Sequence, residues 1–341
     1  MLPTSDLTQT ADFYRSFARD QAEGESATYV EWGEGVAADE ELLGRLAELE
    51  PPRRQPNLLF AAARWHGAPA PGGYRPMRDL VLRQWPQVSA TMRRRSTQTN
   101  EPGRCATLLP VLAEIADGAP LALLEVGVSG GLCLYPDRYA YRYLDEGGHE
   151  VAEGGEGSPT FECVVDPVAA AHLPDASPLV RWRGGLDLSP LDVTDPQTLD
   201  WLRVLVWPED VARRARLDEA VAVVGREHRT TVQGDAAHDL GPLMARAREE
   251  APDARLVVFH TAVAAYFDDA LRSAWPEQVA RLCAEHDAVW VSNEGPTVLP
   301  GVAASAAAPP PSARHFCLGV DGQARAWTHG HGRSLTWVER V

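Results

Sequence analysis

The sequence predicts an α/β protein, a doubly wound, mainly parallel sheet preceded by an all-helical region of about residues 1–118. Two observations carry this. Apolar residues recur at helical spacing through the first 118 positions, and from residue 121 the pattern changes to short apolar runs alternating with further helical stretches. The first of those runs, LALLEV at 121–126, opens directly onto the glycine-rich stretch GVSGG at 127–131.

The elements follow in order. ADFYRSFARD (11–20) and ELLGRLAEL (41–49) read as amphipathic helices, as do LLFAAARWHG (58–67), RPMRDLVLRQW (75–85) and RCATLLPVLAEIA (104–116), with GAPAPGGYRP (67–76) as a break. Strands are predicted at LALLEVG, VRWRGGLDL (180–188), RTTVQGDA (229–236), ARLVVFH (254–260), DAVWVSNE (287–294) and HFCLGVDG (315–322). RYAYRYLDEGG followed by PTFECVVD reads as an antiparallel hairpin inserted at about 139–166, expected to form a flap. VAASAAAPPPSA (302–313) reads as a mobile loop, and the chain closes in alternating stretches turned at Asp321-Gly322. The domains implied are 1–118, a helical cap, and 119–341, the sheet domain.

Bulk properties narrow the function. A net charge of −16 opposes counterion-release binding to nucleic acid. The chain contains no lysine, which removes Schiff-base, Walker-A and lysine-base mechanisms. Five cysteines without C-x-x-C spacing suggest neither a disulfide framework nor a zinc knuckle. The N-terminus has no basic segment leading into an apolar one, and no apolar run reaches membrane-spanning length, so a cytoplasmic protein without a membrane partner is expected. The oligomeric state is not legible.

In a doubly wound sheet, ligands bind beyond the carboxyl ends of strands where the strand order reverses, and the first strand-to-helix turn must admit them. The spacing Glu125-x-Gly127-x-Ser129-x-Gly131 resembles the first motif, E/D-x-G-x-G-x-G, of class I S-adenosylmethionine-dependent methyltransferases, with serine at the central glycine. VRWRGGLDLSP resembles their second motif, which implies that Asp187 accepts the ribose hydroxyls; Asp145, Asp192 and Asp195 are rivals, the last two in a region where acids cap helices. VQGDAAHDL resembles the third, which places Asp235 at the adenine amino group. Together these imply a Rossmann-like sheet of class I methyltransferase type with S-adenosylmethionine as cofactor. TQTNEPGRCATLLP, LLEVGVSGGLCL, PDRYAYRY, GLDLSPLDVTDP, WLRVLVWPE and HGHGRSLTWV are, as a set, similar to an uncharacterised bacterial family catalogued as domain of unknown function 2332.

Candidates for chemistry lie at the strand ends. His260 and Thr261 close the fourth core strand, where the methyltransferase resemblance puts the group facing the acceptor; an imidazole can remove a proton near neutral pH, or can be a hydrogen-bonded strand-end histidine. In STQTNEPGRC (96–105), Asn100, Glu101 and Arg104 concentrate polarity just before the sheet, Glu101 as a catalytic carboxylate and Asn100 and Arg104 as substrate ligands, unless the segment is a capping turn. Asn293 and Glu294 are expected to face one crevice, with Glu294 as a catalytic carboxylate that orients His260 or holds an amine, unless N-E-G-P is simply a strand-end turn, and Tyr266 is a further substrate contact. Tyr135, Tyr139, Tyr141 and Tyr143 read as packing. His329 and His331 in THGHG lack an evident third ligand, so no metal site is assigned, and Cys133 reads as a packing thiol. The function implied is methyl transfer to a small molecule, with His260 taking the proton; the alternatives are acid/base or metal-assisted chemistry on the same fold, or binding without turnover.

Overall fold

The computed structural model describes residues 4–98, 101–312 and 314–338. The chain divides into two compact units, residues 1–98 with 194–215 and residues 99–193 with 216–341.

The first unit is helical, with Thr4–Phe17, Ala27–Ala37, Glu40–Leu46, Pro56–Trp65, Tyr74–Arg83, Trp85–Arg94 and, from later in the chain, Pro196–Leu205. Caps start several of these helices. Ser26 accepts from the Tyr29 N–H, Asp39 from Leu42 and Asp195 from Thr198, and the pyrrolidine of Pro56 opens its helix without losing a hydrogen bond. Asp195 is thus a cap. Tyr14, Phe17, Tyr29, Trp32 and Phe60 pack edge-on and stacked at the centre. The 194–215 segment is bound in by polar anchors: Arg64 donates to the Val204 carbonyl at 2.8 Å, the Thr28 N–H to Glu209 at 2.9 Å and the Trp201 indole to the Ser96 carbonyl at 3.0 Å. Local periodicity does not reveal this return. The helix Cys105–Ala116, read from sequence with the N-terminal helices, belongs to the second unit.

The second unit is mixed α/β. Its described residues form an eleven-stranded sheet of β1 (Leu121–Val126), β2 (Ala140–Leu144), β3 (Glu150–Gly154), β4 (Thr160–Val165), β5 (Val180–Asp187), β6 (Thr230–Gln233), β7 (Arg255–Thr261), β8 (Ala288–Glu294), β9 (His315–Val320), β10 (Gln323–His329) and β11 (Ser334–Trp337). The spatial order is β3-β2-β4-β11-β10-β9-β8-β7-β1-β5-β6. From β8 to β6 every pairing is parallel, and β9, β10 and β11 continue antiparallel. Because β1 lies between β5 and β7, the order reverses there, and its carboxyl end is the switch point.

Strand alternation assigns the faces. Ala122, Leu124 and Val126 of β1 and Leu256 and Val258 of β7 join Trp275, Met244 and Leu240 in one apolar core under Ala236–Glu250 and Asp269–Glu285. Glu125, Phe259, Thr261 and Asn293 therefore project to the opposite face.

Three local expectations are corrected. The hairpin partner of β2 is the polar segment β3, turned at Asp145–Gly148, whereas TFECVV forms β4, parallel to β2 on its other edge. A polar, exposed edge strand carries no alternation signal for sequence to detect. The insertion is also not a flap, since β4 pairs with β11 and extends the main sheet. In 302–313, the first residues belong to the short helix Pro300–Ala304; Ser305 accepts from the Ala324 N–H and the Trp327 indole donates to the Ala308 carbonyl, while Ala313 lies outside the described residues. The Asp321-Gly322 turn forms as read, with φ of 46° and 77°, both left-handed as a type I′ hairpin requires.

Candidate functional site

The turn after β1 alternates in handedness. Gly127, Ser129 and Gly131 have φ of 73°, 46° and 76°, a conformation that glycine adopts freely and serine does not. What holds Ser129 there is the end of β5: its N–H donates to Asp187 Oδ2 at 2.9 Å and its carbonyl accepts from Leu191, while Gly127 and Val128 both donate to the Leu186 carbonyl. Asp187 accepts a second amide, Ser189, on Oδ1 at 2.8 Å. The carboxylate is oriented by both bonds and half-exposed, and each oxygen retains a lone pair. Beside it Leu188 leaves 70 % of its surface in solvent, an apolar group that sequence reading did not single out.

Gly127 meets a second requirement. A Cβ there would lie 2.2 Å from Val263 Cγ2, so the turn after β7 packs directly on it. That turn is organised by Glu294, whose Oε1 accepts from the N–H groups of Val263 at 2.9 Å and Ala264 at 3.1 Å and contacts His260 Nδ1 at 2.8 Å. The Trp275 and Trp290 indoles donate to His260 Nε2 at 3.1 and 3.0 Å. Two N–H donors on Nε2 fix the tautomer with the proton on Nδ1, donated to Glu294.

His260, fully buried and engaged at both nitrogens, has no lone pair to offer an acceptor. The general-base role expected for it is corrected by this geometry. Of the two meanings open to a strand-end histidine, the hydrogen-bonded one describes the ring. Glu294 does orient His260, as expected, but Asn293 and Glu294 do not share a crevice, because neighbours on a strand point to opposite faces. The two tryptophans completing the network come from a helix and a strand interior 15 and 30 residues away from His260, beyond any local motif.

The opposite face carries a buried polar cluster. Arg104, the last residue of the turn Pro102–Arg104, donates through Nη1 to the carbonyl and Oγ1 of Thr261 at 3.1 and 3.2 Å and through Nε to the Gly330 carbonyl at 2.9 Å. Glu101 caps that turn, accepting from the Gly103 N–H at 3.1 Å. Glu101, Arg104, Thr261 and Glu125, four residues expected at the site, are thus all buried around the ends of β1 and β7. Cys133, read as packing, adds a thiol that donates to the Glu101 carbonyl; a hydrogen bond from the Cys105 thiol, reinforced by the Arg104 charge, holds its pKa below the usual thiol range.

Glu125 is the unusual member. Burial pushes its carboxyl well above the normal carboxylate range, outweighing the attraction of Arg104. A carboxyl with a raised native pKa keeps its proton where the unfolded chain releases it, so its contribution to stability is fully present below the unfolded value of about 4.3 and is lost as pH rises toward the native pKa, at about 1.4 kcal/mol per unit of difference. Glu125→Gln should remove this dependence. Urea midpoints at pH 5 and pH 8 are expected to show the variant gaining on the parent as pH rises; a gain at pH 5 instead would mean that the buried group is ionised.

Other expected residues fall elsewhere. Asp235 caps Ala236–Glu250 through the Ala237 N–H at 2.8 Å, Tyr266 is 67 % exposed, and Asn100 lies outside the described residues. Tyr139, Tyr141 and Tyr143 are buried and donate to the carbonyls of Leu132, Pro136 and Ala106, as packing groups do. In THGHG, His331 lies in a turn, where its N–H donates to His329 Nδ1 at 3.0 Å, so the two rings are not a strand pair. No group of three or more His, Cys, Asp or Glu among the described residues is placed to hold a metal ion. A cleft of about 480 Å³ opens on the helix face between Arg272, Trp290 and Leu299. None of the expected site residues lines it. Among the described residues no helix is long and apolar enough to cross a membrane.

These features define a mixed α/β protein whose largely parallel sheet reverses its strand order at a glycine-rich, partly strained turn. The chain belongs to the DUF2332 family of uncharacterized proteins conserved in bacteria, whose model matches residues 11–337. No curated protein and no solved structure matches it.

Proposed function

We propose that the protein binds S-adenosylmethionine at the carboxyl ends of β1 and β5 and serves as a methyltransferase for a small-molecule acceptor. The observation that carries this reading is Asp187, a carboxylate oriented by the Ser129 and Ser189 amides at the switch point, with open lone pairs and with exposed Leu188 beside it. A vicinal diol next to a flat apolar ring matches that pair of groups. The order β6-β5-β1-β7-β8 and the E-x-G-x-S-x-G turn support the same cofactor. When bound, the cofactor supplies an electrophilic methyl group.

The residues of this chain then have distinct tasks. Asp187 orients the sugar, Leu188 covers one face of the base, and Asp235 keeps an oxygen available beyond its cap. The Gly127–Gly131 turn forms the wall nearest β1. With His260 engaged on the other face, proton removal falls to Glu101, beside Arg104 and Thr261. Positioning of the acceptor carries most of the rate, worth up to about 7–11 kcal/mol in well-oriented reactions. The buried, saturated His260 also favours a second reading, a binding protein of the same fold without turnover, which predicts cofactor binding and no methyl transfer to any acceptor.

Calorimetry with S-adenosylmethionine and S-adenosylhomocysteine tests the reading. Micromolar binding is expected, weakened at least tenfold in Asp187→Asn, which removes an acceptor oxygen, and in Leu188→Glu, which leaves the turn's hydrogen bonds untouched. Folded protein that binds neither compound would overturn it.

A further inference from the structure

The face of the sheet bearing Thr261 buries polar side-chain atoms that have no hydrogen-bond partner among the described residues. Asn293, the register partner of Thr261 at the end of β8, is fully buried; its Oδ1 accepts from Thr328 Oγ1 at 2.8 Å, and its Nδ2 has no partner among the described residues. Glu125, on the same face of β1, is 5 % exposed, and its Oε2 is buried without a partner among the described residues. Burial raises the pKa of that carboxyl and so favours its neutral form, in which the group carries an O–H. Arg104 lies with Thr261 between them, 4 % exposed, bonded to carbonyl and hydroxyl oxygens and, among the described residues, in no ion pair. Its guanidinium stands over the Phe316 ring at 5.9 Å, which softens the burial of the charge without neutralising it.

Each of these features is costly alone. A buried donor without a partner costs about 1–3 kcal/mol, and a buried charge without a counter-charge costs more. A cation, an amide N–H and an acid O–H gathered at the ends of three adjacent strands share one complement, an anion with two acceptor oxygens. An amine or a metal ion would meet repulsion from Arg104.

We propose that Arg104, Asn293 and Glu125 form an oxyanion subsite for the carboxylate of the methyl acceptor, which is therefore a small carboxylic acid. The word acceptor rests on the methyltransferase reading above; the anion site itself does not.

The two are separable by experiment. Acetate, butyrate and benzoate are titrated calorimetrically against the full chain in chloride buffer at pH 7, with butyramide and benzamide as neutral counterparts, and S-adenosylhomocysteine is titrated in parallel. The acids are expected to bind and the amides not. Asn293→Asp keeps the shape and the Thr328 bond but sets a carboxylate against the ligand, and should weaken acid binding at least tenfold while leaving S-adenosylhomocysteine unchanged. Asn293→Leu, isosteric and uncharged, is the second variant should the aspartate prevent folding, and is expected to weaken acid binding in the same direction. Equal binding of acids and amides, or acid binding indifferent to both substitutions, would overturn the subsite. A parallel loss of S-adenosylhomocysteine would mean that the anion held is the cofactor's own carboxylate, and would overturn the acceptor assignment. Acid binding that obeys the substitutions in a protein that ignores S-adenosylhomocysteine would leave the subsite standing and remove the methyltransferase.

Discussion

Gly127→Ala is expected to destabilise the sheet-bearing unit by about 2–4 kcal/mol, through strain of about 1–3 kcal/mol for a non-glycine residue in the left-handed region and an overpacking cost of similar size. Both causes are present at this residue. Its φ is 73°, and a methyl group there would stand 2.2 Å from Val263 Cγ2 and 2.8 Å from its Cβ. The two contributions can be partly divided, because Val263→Ala deletes the nearest atom, Cγ2, and leaves the backbone strain. In urea denaturation, the double variant Gly127→Ala/Val263→Ala should lose less stability than the two single losses added together, with a coupling of about 1 kcal/mol or more for residues in direct contact. Simple additivity would show that Val263 does not press on the turn. The result bears on function because it reports whether the turns after β1 and β7 are energetically coupled.

Glu294→Ala should cost about 3 kcal/mol or more, since each buried N–H donor left without its acceptor costs about 1–3 kcal/mol. The carboxylate accepts from His260 and from the Val263 and Ala264 amides, and all three donors would be left in an environment with little water. Glu294→Gln discriminates among explanations. Its carbonyl can replace Oε1, and its amide falls where Oε2 has no partner, so the loss should shrink to about 1 kcal/mol, the net value of an ordinary hydrogen bond. The indole N–H resonances of Trp275 and Trp290, both donated to His260, offer a readout beyond stability. They should shift in the alanine variant and stay near their parental positions in the glutamine variant. Equal losses from alanine and glutamine would mean that charge, not the acceptor geometry of one oxygen, holds the turn.

Much of the architecture is legible in single segments. The helical spacing before residue 118, the apolar runs that become β1, β5, β6, β7, β8 and β9, and the Asp321-Gly322 turn all report local rules, in which one residue's preference and the spacing of its neighbours decide the outcome. The glycine-rich turn and the acid at the end of β5 are legible for the same reason, since a tight strand exit and a strand-end carboxylate are short-range patterns. Segments whose role is set by distant partners are not legible. The polar edge strand β3 exists because β2 needs a neighbour, and residues 194–215 belong to the first unit because Arg64, Glu209 and Trp201 bond across more than a hundred positions.

Sequence by itself placed His260, Glu294, Glu101, Arg104, Thr261, Glu125 and Asp187 at strand ends or just before the sheet, and so at the end of the sheet where ligands bind in such folds. Only the tertiary structure divided them between two faces and decided what each can do. Two indoles saturate His260 and make it a structural residue, two backbone amides orient Asp187, and Arg104 is left buried among oxygen acceptors, in no ion pair among the described residues. The physical reason is that a residue's type sets its capacity to donate, accept or carry charge, whereas the partners that use up that capacity come from strands and helices brought together only by the packing of the whole sheet.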